Sequence, residues 1–382
     1  MKRWQQILLF IIALGGCKKP YNLPAINAPG GYLVVEGVIN PGSDSTVIKL
    51  SRTVSIAARI VAKPVLGAVV SVESDQHAMY QLTDAGNGTY VTAGLNLDPS
   101  HTYRLDIKTP DNKQYQSTFE PAIITPPIDS VGFNIITVPQ TGIQIYANTH
   151  SADNSLRYYR WDYDENWEFY SKYISNFISN GASMVERTPD QYVSKCYNSD
   201  ISADIVLGSS EKLSQNILFQ QPILYIPSTS EKIESRYRVV VREYALTHDA
   251  FYFWTNLKKN TEQLGSIFDA LPSEIAGNIH CITNPSEPVI GYTSVSTVVS
   301  KIKFIYNSQL PAWVPDYPYP CFIDTAGPKP HVPVSYLVLN PDVSLAVDAI
   351  GPVINPIGYT FTSRECADCT TRASKTPPPF WK

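Results

Sequence analysis

Cysteines, a short acidic run and two knots of aromatic residues are the parts of this sequence whose types and spacing could do chemistry. Cys366-Ala367-Asp368-Cys369 is a C-x-x-C, a spacing used by disulfides, zinc sites and redox centres alike. A redox pair should follow a strand and open a helix, whereas Thr370 and Thr371 lead into a Pro-rich tail. A tetrahedral zinc site needs two more ligands, and Cys321 and His331 stand far apart. Structural disulfides are therefore the expectation. The segments around Cys321 and Cys366 are both irregular and need the same restraint, so a bond from Cys321 to Cys366 or Cys369 is expected, with a second joining Cys196 to Cys281.

Asp162, Asp164 and Glu165 with Asn166 form the acidic run. Calcium would require six to eight oxygens and usually a glycine-assisted loop, and this segment lacks the glycine, so it reads as a solvated strand end. No histidine is paired with a carboxylate at motif spacing, and no G-x-S-x-G, H-E-x-x-H, P-loop or dinucleotide fingerprint occurs. The sequence is thus expected to encode no enzyme, no metal site and no cofactor. Aromatic residues are the surplus. Trp161 and Trp167 stand among five tyrosines and one phenylalanine in one stretch, and Trp313, Tyr317 and Tyr319 in another. Exposed, such residues suit recognition of proteins, peptides or sugars; in alternating positions they fill a sandwich core. The run Pro315-Asp316-Tyr317-Pro318-Tyr319-Pro320 cannot be a central strand and is the better contact loop.

The elements that must carry these residues are mostly strands. In 382 residues, 30 prolines against 20 glycines, with 24 tyrosines, suit many short strands joined by Pro-marked loops. A net charge of −4 offers no basic footprint for nucleic acid. Period-two segments begin at Tyr32 to Ile39, Thr46 to Leu50, Ala68 to Val72, Ala78 to Leu82, Thr89 to Thr92, Thr102 to Ile107 and Gln114 to Thr118. These predict an N-terminal immunoglobulin- or transthyretin-like β-sandwich over 31–124, closed by the linker prolines near Pro126. A larger β-rich, sandwich-like domain over 125–382 follows, with strands at Ile128 to Thr137, Thr141 to Thr149, Ile201 to Leu207, Arg236 to Tyr244 and Thr293 to Tyr306. Leu156 to Tyr170 reads as a strand pair turning at Asp164-Glu165-Asn166. One helix is inserted near 247–264, capped by Thr247 and stopped by Gly265. Pro311 to Lys329 and the tail after Pro352 read as irregular.

At the N-terminus, Lys2 and Arg3 precede an eight-residue apolar run, Ile7 to Leu14, far short of the roughly 20 residues of a spanning helix. It ends in Leu14-Gly15-Gly16-Cys17, which resembles a lipobox. Residues 1–16 are then a signal peptide, and Cys17 carries diacylglycerol and palmitate-type chains that hold the protein to a membrane. Residues 17–30 form a polar tether. Lys18 in place of a retaining aspartate points to the outer membrane and leaves its two faces open.

Five ordered motifs carry a family resemblance: Leu33 to Ile39 (LVVEGVI), Tyr252 to Asp269, Leu271 to Asn284, Pro288 to Tyr292 (PVIGY) and Glu365 to Lys382. The sequence resembles the Bacteroidetes lipoproteins grouped as domain of unknown function 4249. Genes of that family often neighbour those of TonB-dependent receptors, so the resemblance implies a non-enzymatic binding or accessory role in nutrient uptake, with the ligand undefined. A structural or assembly lipoprotein of the envelope is the alternative, and a hydrolase the third reading.

Overall fold

The computed structural model describes residues 31–54, 62–152, 155–262, 277–352 and 354–381. The expected Cys17 anchor, its tether, and the Gly265 stop of the helix lie outside these residues. The chain is mainly β, as its composition predicts.

All seven expected N-terminal strands form, and with an eighth, Thr83–Gly86, they build two facing sheets. One runs Leu33–Val38, Thr46–Arg52, Thr89–Thr92, Thr83–Gly86; the other Gln114–Ser117, Thr102–Lys108, Val69–Ser74, Met79–Gln81. Strict alternation does the sorting. Tyr103, Leu105 and Ile107 point inward to meet Leu33, Val35, Ile48 and Leu50 from the opposite sheet. The sandwich is not closed by residue 124, however. Val289–Ile290 adds a parallel strand beside Leu33–Val38, and Ile279–Cys281 pairs with Gln114–Ser117. Ile279, Cys281, Val289 and Val295 all lie in the first core. Gly291 permits this return: at φ +139° it has backbone that L side chains rarely adopt, and a Cβ there would sit 2.2 Å from the Val35 carbonyl oxygen. The 31–124 boundary thus omits part of the unit, because strands from one far segment supply an edge to each sheet.

The second sandwich packs the sheet Ile128–Ile136, Gly142–His150, Ile217–Pro227 against a sheet ordered Lys195–Ile201, Tyr158–Tyr170, Arg236–Leu246, Val298–Tyr306. The expected turn at Asp164-Glu165-Asn166 is absent. Tyr158–Tyr170 is one thirteen-residue strand paired along its length with Arg236–Leu246. Its inward side chains satisfy themselves across the sheet, so nothing forces a reversal. The strand expected over Ile201 to Leu207 is instead two, Lys195–Ile201 and Val206–Ser209. The helix spans His248–Glu262, with Thr247 Oγ1 accepting from the Ala250 amide at 3.2 Å, and Ala250 and Phe253 buried against Tyr244, Leu246 and Tyr292.

The C-terminal segments expected to be irregular contain a third unit. Asp324–Ala326, Gly358–Ser363 and Ser344–Ile350 form a sheet, with the short helix Val334–Leu339 and the hairpin Phe177–Ser179/Met184–Glu186 packed around Phe177, Leu337, Tyr359 and Phe361. Their Pro-rich surroundings hide these strands from a periodicity reading. Among the described residues no helix is long and apolar enough to cross a membrane.

Candidate functional site

The third unit owes its attachment to the C-x-x-C, whose two members reach in different directions. Cys366 bonds Cys321 in the preceding loop, and Cys369 bonds Cys196 on the edge strand of the second sandwich. The expected Cys196–Cys281 bond does not form: Cys281 is a free thiol buried in the first core, on a strand of the other sandwich. Backbone hydrogen bonds from Tyr173 to Cys366 and from Cys369 to Val193 reinforce the attachment.

Between the hairpin and the C-terminal sheet lies a cavity of about 250 Å³. Phe177, Met184, Leu337 and Leu345 give it apolar walls, while Arg187 and Arg364 bring guanidinium groups. Arg364 is one residue beyond the strand Gly358–Ser363, and its Nε donates to Asp368 Oδ2 at 2.9 Å and its Nη1 to Asp342 Oδ1 at 3.2 Å. Asp368 also accepts from the Thr370 amide at 2.9 Å. Because Cys366 falls between Arg364 and Asp368, and Cys369 follows directly, both disulfides brace this wall. Arg187 differs. Only 9% of it is exposed, its Nε donates to Ser175 Oγ at 3.1 Å and its Nη1 to the Gln191 carbonyl at 2.8 Å, and among the described residues no carboxylate lies within 4.0 Å of it. Burial pushes its pKa down, with Asp368 opposing from further off.

The aromatic candidates divide. Trp161 and Trp167 are core residues of the second sandwich, on the inward parity of Tyr158–Tyr170 with Tyr159, Tyr163 and Phe169. They are not a binding surface: the strand continues where a turn was expected, so every second aromatic side chain faces the other sheet. Trp313 is half-buried against the same core, and Tyr317 and Tyr319 are half-buried in the loop that leads to Cys321. The Tyr317 hydroxyl donates to Glu234 Oε1 at 3.4 Å, and burial together with that carboxylate pushes its pKa up to about 12. The large apolar side chains this loop exposes are Val314 (73%) and Phe322 (76%), with the carboxylate of Asp316 exposed between them.

The acidic run is not a solvated strand end either. Asp162 and Asp164 lie mid-strand on the outer face and clamp Arg242, whose Nη2 donates to Asp164 Oδ1 at 2.8 Å. Glu165 faces inward and accepts from the Tyr237 hydroxyl at 2.6 Å and from Lys232 Nζ at 2.7 Å. Glu243 is also inward and wholly buried, accepting from Trp161 Nε1 at 2.7 Å and Thr149 Oγ1 at 2.8 Å. Burial pushes its pKa up to about 7, the two donors opposing. Among the described residues no three His, Cys, Asp or Glu are grouped to hold a metal ion.

Residues 18–302 match the family described as Domain of unknown function (DUF4249). The chain belongs to this family. No curated protein matches it. A solved structure titled "Biofilm associated protein - BSP domain" aligns at 5% identity and a TM-score of 0.13, over 75% of this chain and 62% of that one, a likeness that carries no argument. The part of the DUF4249 chain that matches holds the first sandwich, the second as far as the middle of Val298–Tyr306, and the hairpin wall of the cavity, while the opposite wall at 337–368 lies beyond it. Sequence reasoning missed Glu243, although a carboxylate at the inward parity of Arg236–Leu246 was a usable signal. It also missed Arg187 and Arg364, which chain distance separates and no motif joins.

Proposed function

We propose that this protein is an outer-membrane-anchored lipoprotein that serves, without catalysis of its own, as a binding or accessory subunit of a TonB-dependent receptor in nutrient uptake. The observation that carries the reading is the segment before Cys321. Val314 and Phe322 are largely exposed on a loop that a disulfide fastens to the folded unit, so an apolar contact surface is held in place rather than left to collapse. The Leu14-Gly15-Gly16-Cys17 pattern supports lipid anchoring and two disulfides suit an exported protein, while the receptor association is what the gene neighbourhood of the resembling lipoproteins implies.

The test is affinity purification of the full-length protein from detergent-solubilised membranes at native expression. A TonB-dependent receptor should co-elute stoichiometrically, and Phe322→Asp with Val314→Asp should release it while the protein stays in the membrane fraction. Purification of the lipoprotein with no receptor, or retention of the receptor by the double variant, overturns the proposal.

A further inference from the structure

We infer that the cavity between the Phe177–Glu186 hairpin and the C-terminal sheet is a binding site for a small apolar monocarboxylate, held by Arg187. A guanidinium does not shed its proton under ordinary conditions, so burying one without an anion is costly. Arg187 is nine-tenths buried at the cavity, with Ser175 and Gln191 fixing its Nε and Nη1, while its Nη2 has no partner among the described residues. The group is therefore immobilised with no carboxylate in contact, Asp368 offsetting its charge only from further off. A carboxylate is the flat, two-oxygen acceptor that such a fork takes best.

The rest of the wall narrows the class. Phe177, Met184, Leu337 and Leu345 would cover a hydrocarbon portion, and about 250 Å³ lies below the volume range of drug-sized ligand pockets, so the ligand is small. Asp342 and Asp368 both engage Arg364, so that side of the cavity carries an excess of negative charge. A second negative charge on the ligand would meet it, which disfavours phosphate dianions and dicarboxylates. The inference concerns the interior of the third unit and stands apart from the receptor surface.

The experiment is titration calorimetry on the full mature protein with hexanoate, hexanamide and inorganic phosphate. Hexanoate should bind at least about tenfold more tightly than the isosteric amide, the difference one charge-assisted contact gives. Phosphate should bind more weakly than hexanoate. Arg187→Lys, which keeps the charge but not the fork, should lose most of the affinity, and Arg187→Met should bind acid and amide alike. Equal binding of hexanoate and hexanamide by the unaltered protein, no binding of hexanoate up to its solubility, tighter binding of phosphate, or undiminished affinity in a folded Arg187 variant each overturns the site. The comparison of acid with amide needs no variant, so it decides even where the variants fail to fold. No arm involves a receptor, so failure here and failure of co-purification are separate results.

Discussion

Replacing Glu243 by Gln should flatten the dependence of stability on pH, leaving the protein little changed near pH 4.5 and more stable near pH 8. Glu243 is wholly buried between the two sheets of the second sandwich, and its pKa rises from 4.5 to about 7 in the fold, chiefly through burial. Below pH 4.5 the group is protonated in both the folded and the unfolded chain and contributes nothing to the slope. Between 4.5 and about 7 the unfolded chain releases its proton while the folded one retains it, so folding is progressively opposed. Above about 7 both forms are ionised and the cost levels off at about 3 kcal/mol. The native protein should therefore lose about that much stability between pH 4.5 and 8 from this residue. In Glu243→Gln the amide oxygen can accept from Trp161 Nε1 while its NH₂ donates to the Thr149 hydroxyl, which turns to accept, so the variant keeps both contacts and carries no charge to titrate. Urea titrations of both proteins, disulfides intact, from pH 4.5 to 8 give the difference curve. Glu120 and Glu234, also raised by burial, cancel in that difference. A difference that does not vary with pH would refute the assignment of a proton to Glu243.

Four further outcomes follow from geometry. Non-reducing peptide mapping should recover Cys196–Cys369 and Cys321–Cys366; a Cys196–Cys281 or Cys366–Cys369 bond would contradict the fold. Iodoacetamide should modify Cys281 only after denaturation, since its thiol lies in the first core. A fragment covering 31–124 should melt well below the intact sandwich, and a peptide covering 277–297 should raise its melting temperature; no response to the peptide would mean that the returning strands are dispensable. Thr247→Ala should cost about 1 kcal/mol by chemical denaturation through loss of the helix cap, with no change expected in the disulfides.

The sequence was most readable where one strand borders water. Thr102–Lys108 alternates, so the order of its residues alone turns Tyr103, Leu105 and Ile107 inward. Tyr158–Tyr170 misled because its inward row includes Glu165, whose charge suggests a turn until Lys232 and Tyr237 appear beside it. Those partners are 67 and 72 positions away and leave no local trace. The same limit applies to the cysteines. Chain separation could make Cys321–Cys366 reasonable, but only the pairing of Lys195–Ile201 with Tyr158–Tyr170 brings Cys196 to the C-terminal turn. The cavity was illegible for a further reason: the charge state of Arg187 matters through what fails to approach it, and no spacing encodes that.

The return of Val289–Ile290 to the side of Leu33–Val38 also sets a timetable for synthesis. Leu33 pairs with Val289, 256 positions later (289 − 33), so an edge of the first sheet stays open while most of the chain is still being made. An unpaired strand edge is a template for association with other chains, and the lag spans every strand of the second sandwich except its last, Val298–Tyr306. The first unit to emerge is therefore completed only shortly before the second, whose last strand is Val298–Tyr306, and the edge at Leu33–Val38 stays unpaired until its distant partner arrives.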